Sequence, residues 1–224
     1  MLNYEVPASL LEPLVPAGVA LDRWRERLYV SVVGFRFTDT RVLGVAIPGH
    51  RHFEEVNLRF YVRRDVGTER RRGVVFVREL VPRPVVAIVA RAAYNEPYRS
   101  LPMRHRVARD GAAARYEYAW RVGGTWTAIC ARAPRPGQPP ATGSEEEFIT
   151  EHYWGYTAQR GGGTIEYRVE HPRWNVTHAD EARIDGDVGS VYGAAFAEVL
   201  AAPPRSAFVA DGSAVAVYAP ARIR

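Results

Sequence analysis

Short runs of strand-forming residues, closed by glycine- or proline-containing breaks, recur along this chain of 224 residues. Valine, isoleucine, tyrosine and phenylalanine dominate the runs, as is typical of strands. The clearest lie at 28–37, 55–63 and 73–81. Three more form a meander joined by Gly111 and by a Gly123-Gly124 pair. The pattern predicts one mainly β domain over residues 1–224, folded as a closed or partly closed barrel.

A few short helices are predicted between the strands. Residues 83–95 carry Pro84, which suits a first helical turn, and continue with alanine-rich apolar sequence. Ser144 and Glu147 have the spacing of a capping box, which predicts a helix that starts after Ser144. Two further helices are predicted over 7–18 and 189–201. The fold class is therefore a β-rich α+β fold with a few short helices.

The chain contains no lysine, because all 30 of its basic residues are arginines. No side chain can therefore form a Schiff base with a carbonyl substrate or with pyridoxal phosphate, and a P-loop would lack its lysine. The densest basic run, 63–73, is interrupted by acids and glycines, which predicts a solvated hairpin turn. Despite a net charge of +5, the sequence carries no nucleic-acid-binding motif, and we expect no nucleic-acid partner.

The cellular setting follows from segments that the sequence lacks. No apolar run approaches the ~20 residues that span a bilayer, so we expect no membrane partner. The single Cys130 lies in an apolar, strand-like run, which favours a buried, inert thiol. A chain that cannot form an internal disulfide is typical of a reducing compartment, so we expect a cytoplasmic location.

The strand at 53–62 has two different faces, because side chains alternate along a strand. One face is apolar, with Val56, Leu58, Phe60 and Val62, and the other is polar, with Glu55, Asn57, Arg59 and Tyr61. Two interpretations are open: the polar face is an ordinary solvated surface, or it lines a cavity. In the second, Glu55 and Arg59, ~13 Å apart along the strand, both reach into one space. Polar groups buried there would need hydrogen bonds, water or a ligand.

The histidines do not form a recognisable metal site. His50 and His52 make an HxH pair that could bind zinc, but no matching HxxE or CxxC lies nearby, which favours a loop pair without metal. His152, on the capped helix, and His171, before a proline, are expected to be structural, hydrogen-bonded side chains. The sequence predicts no metal and no cofactor.

Four sequence blocks occur together in a characteristic order. They are FEEVNLRFYV (53–62), ARAAYNEPYRSLPM (90–103), GSEEEFITEHYWGY (143–156) and VEHPRW (169–174), after an opening LVPAGVALDRW (14–24). In these blocks, almost the whole chain resembles the YqjF-like family, an uncharacterised bacterial domain-of-unknown-function family. The resemblance implies the fold of acetoacetate decarboxylase, a barrel-like domain that encloses a polar cavity. It favours the interpretation in which Glu55 and Arg59 face inward.

The resemblance also bears on chemistry. Acetoacetate decarboxylase forms a Schiff base through a Pro-Lys-Lys-Leu run, and EPYRSL is the similar segment here. Pro97 matches the proline, while Tyr98 and Arg99 stand where the two lysines would be. Arginine is not nucleophilic, so Schiff-base decarboxylation is excluded. The implied site combines Glu55 and Tyr98 as catalytic residues with substrate-binding residues Asn57, Arg59, Tyr61 and Arg99.

Three functions remain open from the sequence. The first is a small-molecule-binding domain or lysine-independent enzyme, in which arginine holds the carboxylate or enolate oxygen of a carbonyl compound and Glu55 accepts a proton. The second is a non-catalytic protein in which Glu55 and an arginine form a buried structural pair. The third is a nucleic-acid binder that uses the 63–73 arginines. A homo-oligomer is compatible with the resemblance, since decarboxylase relatives assemble.

Overall fold

The computed structural model describes residues 1–40 and 52–223. In these ranges the chain forms sixteen strands, numbered in chain order. They are β1 (Leu2–Val6), β2 (Ala20–Leu21), β3 (Leu28–Phe37), β4 (Phe53–Val66), β5 (Glu69–Val81), β6 (Tyr98–Ser100), β7 (Met103–Asp110), β8 (Ala113–Val122), β9 (Thr125–Pro134), β10 (Trp154–Ala158), β11 (Thr164–Glu170), β12 (Val176–His178), β13 (Glu181–Asp185), β14 (Ser206–Ala210), β15 (Ala216–Val217) and β16 (Ala221–Ile223).

The strands form two sheets. The larger follows the order β12-β14-β1-β3-β4-β5-β10-β11-β15, with β2, β6 and β16 paired to β4, β5 and β11. Its pairs are antiparallel except for β5 with β6 and β5 with β10, which are parallel. The smaller sheet is β13-β9-β8-β7, which contains the predicted meander. The mainly β fold class is confirmed, and closure into a barrel remains a prediction.

Short helices connect the strands. They are α1 (Ala8–Leu11) followed by a 3₁₀ turn (Glu12–Leu14), α2 (Pro84–Tyr94), α3 (Glu145–Thr150), α4 (Gly189–Tyr192) and α5 (Ala194–Leu200). Helix α2 confirms the prediction for 83–95. The capping box is also confirmed, because the Ser144 hydroxyl accepts a hydrogen bond from the Glu147 amide at 3.2 Å. The helix predicted over 189–201 is divided at Gly193, whose φ of 85° lies outside the helical region.

The arginine run at 63–73 lies mostly in strands. β4 and β5 leave only a two-residue turn that starts at Gly67. Arg64 and Arg71 both bind Glu166, at 3.1 and 2.7 Å. The predicted hairpin between these two strands is present, but its turn is shorter than the run. Because such pairs compensate the clustered positive charge, the arginines extend along the paired strands.

Strand β4 is buried on both faces. On one face, Val56, Leu58, Phe60 and Val62 are 0% exposed and pack in the main core with Trp120. On the other face, Glu55 and Asn57 are each 2% exposed and Tyr61 is 1% exposed. The polar face is therefore not a solvated surface, and the interpretation that placed it in water was wrong.

Two helical segments cover opposite faces of the large sheet. Val191, Tyr192 and Phe196 from α4 and α5 join the main core, on the apolar side of β4. On the polar side, Phe148 and Ile149 of α3 pack in a second apolar cluster that includes the Tyr61 ring. One end of the polar face is thereby sealed by apolar side chains.

A β-bulge interrupts the pairing of β4 with β5. Leu58 pairs with Arg78 and the next residue, Arg59, pairs with Phe76, so Val77 is an extra residue on β5. An extra residue reverses the alternation of side chains beyond it. As a result, Glu79, on one side of the bulge, and Phe76 and Val74, on the other, lie on the same face of β5 although the first number is odd and the other two are even.

Two further expectations can be compared with the structure. None of the helices within 1–40 and 52–223 has the length and apolar character needed to cross a membrane. Cys130 is half-buried rather than buried, with its Sγ 3.8 Å from an Asp185 carboxylate oxygen. Burial raises the pKa of this thiol, which disfavours the reactive thiolate.

Candidate functional site

Three neighbouring strands place polar side chains side by side on the buried face. Asn57 of β4 pairs with Glu79 of β5, and Glu79 pairs with Tyr98 of β6. Side chains at paired positions project to the same face of a sheet. Glu55 lies two residues before Asn57 and therefore shares this face. The sheet register thus brings an amide, two carboxyl groups and a phenol together.

Hydrogen bonds show that three of these residues, Glu55, Asn57 and Tyr98, are in contact. Asn57 Nδ2 donates to Glu55 Oε1 at 3.0 Å, and the Tyr98 hydroxyl donates to Glu55 Oε2 at 3.0 Å. No arginine of the described ranges forms an ion pair with Glu55 within 4 Å. The buried Glu55–arginine pair of the structural alternative is therefore not a direct contact.

A third carboxyl group joins this cluster from the end of α2. Asn95 ends the helix in the left-handed conformation, with φ 58°, which turns the chain so that Glu96 is buried at 4% exposure. Glu96 Oε1 accepts hydrogen bonds from the Thr157 hydroxyl at 2.6 Å and from the Tyr167 hydroxyl at 2.7 Å. We call Glu55, Glu79 and Glu96 the carboxyl cluster.

A glycine makes room for one of these donors. Gly155 pairs with Tyr167 across β10 and β11, and a Cβ at position 155 would lie 2.0 Å from the Tyr167 ring. The absence of a side chain lets the ring pack against the backbone of Gly155 while its hydroxyl donates to Glu96.

All three groups of the carboxyl cluster have raised pKa values. Burial, which disfavours the charged form, raises the pKa of Glu55 and that of Glu96 to about 7, despite the hydrogen bonds that each receives. Burial and the neighbouring Glu96 and Glu55 raise the pKa of Glu79 well above its usual value. At neutral pH the cluster therefore holds protons that exposed glutamates would have lost.

Arg59 supplies a positive charge on the same face, between Asn57 and Tyr61. It follows Asn57 by two residues, and its Nη2 donates to the Ile149 carbonyl at 3.4 Å. Its Nε is buried without a hydrogen-bond partner, and no carboxylate of the described part of the chain lies within 4 Å of its guanidinium. Arg59 nevertheless lowers the pKa of Glu55 through its charge, after the larger effect of burial.

The other two predicted binding residues are engaged elsewhere. The Tyr61 hydroxyl is 2.6 Å from the Ser31 hydroxyl, and Ser31 donates to Asn3 at 2.7 Å. Arg99 pairs with Leu80, on the face opposite to Tyr98, and its Nη1 donates to the Ser190 carbonyl at 3.3 Å. The structure thus brings Glu55, Asn57 and Tyr98 together, places Arg59 on the same face, and does not bring in Arg99.

His152 lies beyond Arg59 on the buried side. Its ring packs against Tyr61, with centroids 4.7 Å apart, and its Nε2 is 3.4 Å from Asp22 Oδ2. Burial lowers the pKa of His152 to about 4, so the imidazole is neutral at pH 7. Asp22 is also held by Arg72, whose Nε lies 2.8 Å from the same oxygen.

A surface depression of about 200 Å³ opens next to the carboxyl cluster. Phe76, the partner of Arg59 in the sheet, lines one side, and Thr157, which binds Glu96, lines another. Asn95 and Pro97 flank Glu96 at its rim. No carboxyl group of the cluster lines the depression itself.

The described residues include no group of three or more histidine, cysteine, aspartate or glutamate side chains placed to hold a metal ion. His52 is exposed and lies 3.8 Å from Asp39, while His50 lies outside the described residues, so their pairing is not tested. The absence of a metal and of a cofactor remains an expectation from the sequence.

Sequence reasoning missed two members of the carboxyl cluster and the two donors to Glu96. Glu79 and Tyr167 lie in runs read only as strands, and Glu96 lies in a block used only for the family resemblance. One signal was available in the sequence: the run EPY places a glutamate, Glu96, two residues before the predicted Tyr98.

Comparison with known sequences identifies one family. A model of the DUF2071 family, described as an uncharacterized conserved protein, matches residues 1–214. The uncharacterized protein YqjF of Bacillus subtilis (strain 168) is 28% identical over 182 residues, which cover 80% of this chain and 72% of YqjF.

Comparison with solved structures identifies the fold. An acetoacetate decarboxylase-like enzyme from Sphingomonas wittichii RW1 has a TM-score of 0.62 at 12% identity, over 99% of this chain and 89% of that one. The enduracididine biosynthesis enzyme MppR complexed with pyruvate gives 0.62 at 12% identity, over 92% and 80%. Acetoacetate decarboxylase from Legionella pneumophila subsp. pneumophila str. Philadelphia 1 gives 0.56 at 10% identity, over 85% and 74%. At these identities the similarity establishes the fold alone.

Proposed function

Because the chain belongs to the DUF2071 family and has an acetoacetate decarboxylase-like fold, we propose that it binds a small organic acid with a carbonyl group. The site is the buried polar face between Arg59 and the carboxyl cluster. Arg59 binds the carboxylate of the ligand, and Glu55 acts as acid and base at the carbon next to the carbonyl. Tyr98 holds the Glu55 carboxylate in position.

The observation that carries this proposal is the separation of unpaired charge along one buried face. Arg59 has an unpartnered, buried Nε and no carboxylate partner in the described ranges. Glu55 lies four residues away and has hydrogen-bond donors but no cation within ion-pair distance. A buried donor left without an acceptor is unfavourable, and a carboxylate ligand would satisfy it.

The protonation of Glu55 suits this role. A general base works best when its pKa lies near the working pH, and burial raises the pKa of Glu55 to about 7. The Tyr98 hydroxyl and the Asn57 amide fix both carboxylate oxygens, so the proton-accepting group is oriented before a ligand arrives.

A purely structural role explains these groups less well. Moving the pKa of a buried carboxyl from 4.5 to about 7 costs about 3 kcal/mol of stability at neutral pH, since each unit corresponds to ~1.4 kcal/mol. A structural ion pair would offset that loss, but Glu55 and Arg59 make no direct contact in the structure. A ligand placed between Glu55 and Arg59 would contact both side chains and offset that loss.

One known neighbour supports the ligand class. MppR, which shares the fold, is complexed with pyruvate, a small acid with a carbonyl group. The absence of lysine excludes a side-chain Schiff base, so proton transfer without a covalent intermediate is the chemistry proposed here.

Pyruvate in D2O is the direct test. If Glu55 removes a methyl proton next to the carbonyl, the protein accelerates replacement of hydrogen by deuterium, and the methyl signal in the proton NMR spectrum decays. We expect Glu55→Gln to abolish the acceleration and Arg59→Gln to raise the concentration of pyruvate needed for half the maximal rate. Arg106→Gln, at an exposed arginine, is the matched control. Equal rates in all four proteins and in buffer would refute the proposal.

Binding can be measured separately from exchange. Calorimetric titration with pyruvate, acetone and acetate tests whether both the carboxylate and the carbonyl are needed. We expect pyruvate to bind most tightly, and Arg59→Gln to reduce its affinity towards that of acetone. Binding that is unchanged by Arg59→Gln would contradict the assigned position of the carboxylate.

A further inference from the structure

Glu79 stands at the centre of the carboxyl cluster and has the least support for a negative charge. It is 2% exposed and lies between Asn57 and Tyr98 in the sheet register. Glu55 receives two side-chain hydrogen bonds, and so does Glu96. Glu79 forms no ion pair within the described residues, and its Oε2 is buried with no hydrogen-bond partner.

Three carboxyl groups in one buried cluster cannot all be ionised, because like charges at short range disfavour one another. The proton stays on the group whose charged form is least stabilised. The Tyr98 hydroxyl is the stabilising neighbour of Glu79, while Glu55 and Glu96 both act against its charge. The positive charge of Arg59 lowers the pKa of Glu55 and is not among the causes that shift the pKa of Glu79.

If Glu79 is protonated, its unpartnered oxygen can be a hydrogen-bond donor rather than an acceptor. A neutral carboxylic acid has one O–H donor, and a buried O–H without an acceptor is as unfavourable as an unpaired amide. Both oxygens of Glu55 and Oε1 of Glu96 already accept hydrogen bonds, while Glu96 Oε2 and Asn57 Oδ1 are buried without a partner, so the cluster holds more polar atoms than its own hydrogen bonds satisfy. A carbonyl oxygen of a bound molecule would satisfy the donor.

We propose that Glu79 is a neutral carboxylic acid that donates a hydrogen bond to the carbonyl oxygen of the bound ligand. This inference rests on the proposed function, and it adds the group that stabilises the product of proton removal. Glu55 and Glu79 then divide the two roles of the reaction between two carboxyl groups in different surroundings.

The proton transfer balances with these two groups alone. The ionised carboxylate of Glu55 takes a proton from the carbon next to the carbonyl, and the C–H bond breaks. Its electron pair forms the carbon–carbon double bond of an enolate, and the negative charge moves to the carbonyl oxygen. Glu79 keeps its own proton and donates it in a hydrogen bond to that oxygen. Return of a proton, or of a deuteron from D2O, by Glu55 restores both groups.

The protonation of Glu79 can be observed without any ligand. Infrared spectra at pH 8 should show the C=O stretching band of an un-ionised carboxylic acid, and Glu79→Gln should remove it. Glu96→Gln is the matched control and should retain the band, because Glu96 is mostly ionised one pH unit above its pKa of about 7. A band that is unchanged in Glu79→Gln, or absent from the wild type, would overturn the inference.

The donor role is tested by exchange of pyruvate protons in D2O. Glutamine keeps an N–H donor in place of the O–H, so Glu79→Gln should slow exchange only several-fold, whereas Glu79→Leu should slow it ~10²-fold, as expected for loss of an oxyanion donor. The pH at which the rate is half-maximal reports Glu55. It should stay near 7 in Glu79→Gln, because neither side chain carries a charge. A fall of one pH unit or more would show that Glu79 was ionised and would overturn the inference.

The two proposals fail in different ways. If the wild-type protein does not exchange pyruvate protons, the proposed function fails for this ligand, and the infrared comparison decides whether Glu79 carries the proton. If exchange occurs but Glu79→Gln and Glu79→Leu are equally slow while both remain folded by circular dichroism, the donor role fails and the function stands.

Discussion

Replacing Glu96 by glutamine should stabilise the protein at pH 8 and leave its stability unchanged at pH 4. Burial raises the pKa of Glu96 from 4.5 to about 7 in the folded state. Below pH 4.5 the carboxyl is neutral in both the folded and the unfolded protein, so it contributes no difference. Between pH 4.5 and 7 the unfolded state loses its proton first, so the folded state is progressively destabilised as the pH rises.

The size of the effect follows from that pKa difference. At ~1.4 kcal/mol per unit, ionisation of Glu96 lowers the free energy of unfolding by about 3 kcal/mol above pH 7. Glutamine keeps the carbonyl oxygen that accepts from Thr157 and Tyr167, but it never ionises. Glu96→Gln should therefore gain about 3 kcal/mol over the wild type at pH 8.

Urea unfolding followed by circular dichroism at pH 4, 6 and 8 measures this difference. Glu198→Gln is the control, because Glu198 is exposed and should show no pH-dependent gain. The reasoning would be refuted if the gain of Glu96→Gln were the same at all three pH values, or if the variant were less stable than the wild type at pH 8.

Three further perturbations test other parts of the site. Tyr98→Phe removes a donor that favours ionised Glu55, so the pKa of Glu55 should rise above about 7, measured by carboxyl-carbon NMR titration. Gly155→Ala places a Cβ 2.0 Å from the Tyr167 ring and should lower the free energy of unfolding by ~1–3 kcal/mol or more, measured by urea unfolding. His152 has a pKa lowered to about 4, so the folded state loses stability as the pH falls from 6.5 to 4 when the unfolded state takes up a proton; His152→Phe should flatten that loss in thermal melts at pH 5 and 7.

Each of these has its own contrary outcome. An unshifted Glu55 titration in Tyr98→Phe would mean that the hydroxyl does not support the carboxylate. Gly161→Ala, where nothing lies within 4 Å of the added Cβ, is the control for Gly155→Ala, and equal stability of the two would contradict the close packing of the ring. An unchanged acid dependence in His152→Phe would place the titrating group elsewhere.

Local sequence patterns predicted the elements whose residues interact with their neighbours in the chain. Strand β3, helix α2 and the β7–β8–β9 meander were predicted because alternation, Pro84 and glycine turns act over a few residues. Strands β1 and β14 were not predicted. They are five residues long and pair with each other across most of the chain, while β1 also pairs with β3 and β14 with β12, and no local pattern reports such pairing.

The site was predicted in part for the same reason. Glu55, Asn57 and Arg59 share a face through simple alternation within one strand. Glu79 reaches that face through strand pairing beyond the bulge, which the sequence does not reveal. Arg99 was predicted to bind ligand because it adjoins Tyr98, but adjacent residues on a strand point to opposite faces, and its side chain contacts Ser190 instead.

The extra residue at Val77 makes the length of β5 part of the site. Pairing on both sides of the bulge is fixed, by Val74 opposite Tyr61 and by Glu79 opposite Asn57. Deleting Val77 would remove the phase change between these two halves. Either Glu79 would turn into the apolar core or the hairpin would shift against β4. A relative that lacks one residue of β5 but keeps every polar residue of this face would therefore not retain the same arrangement of acids. Changing the length of this strand alters the site even when all the site residues are kept.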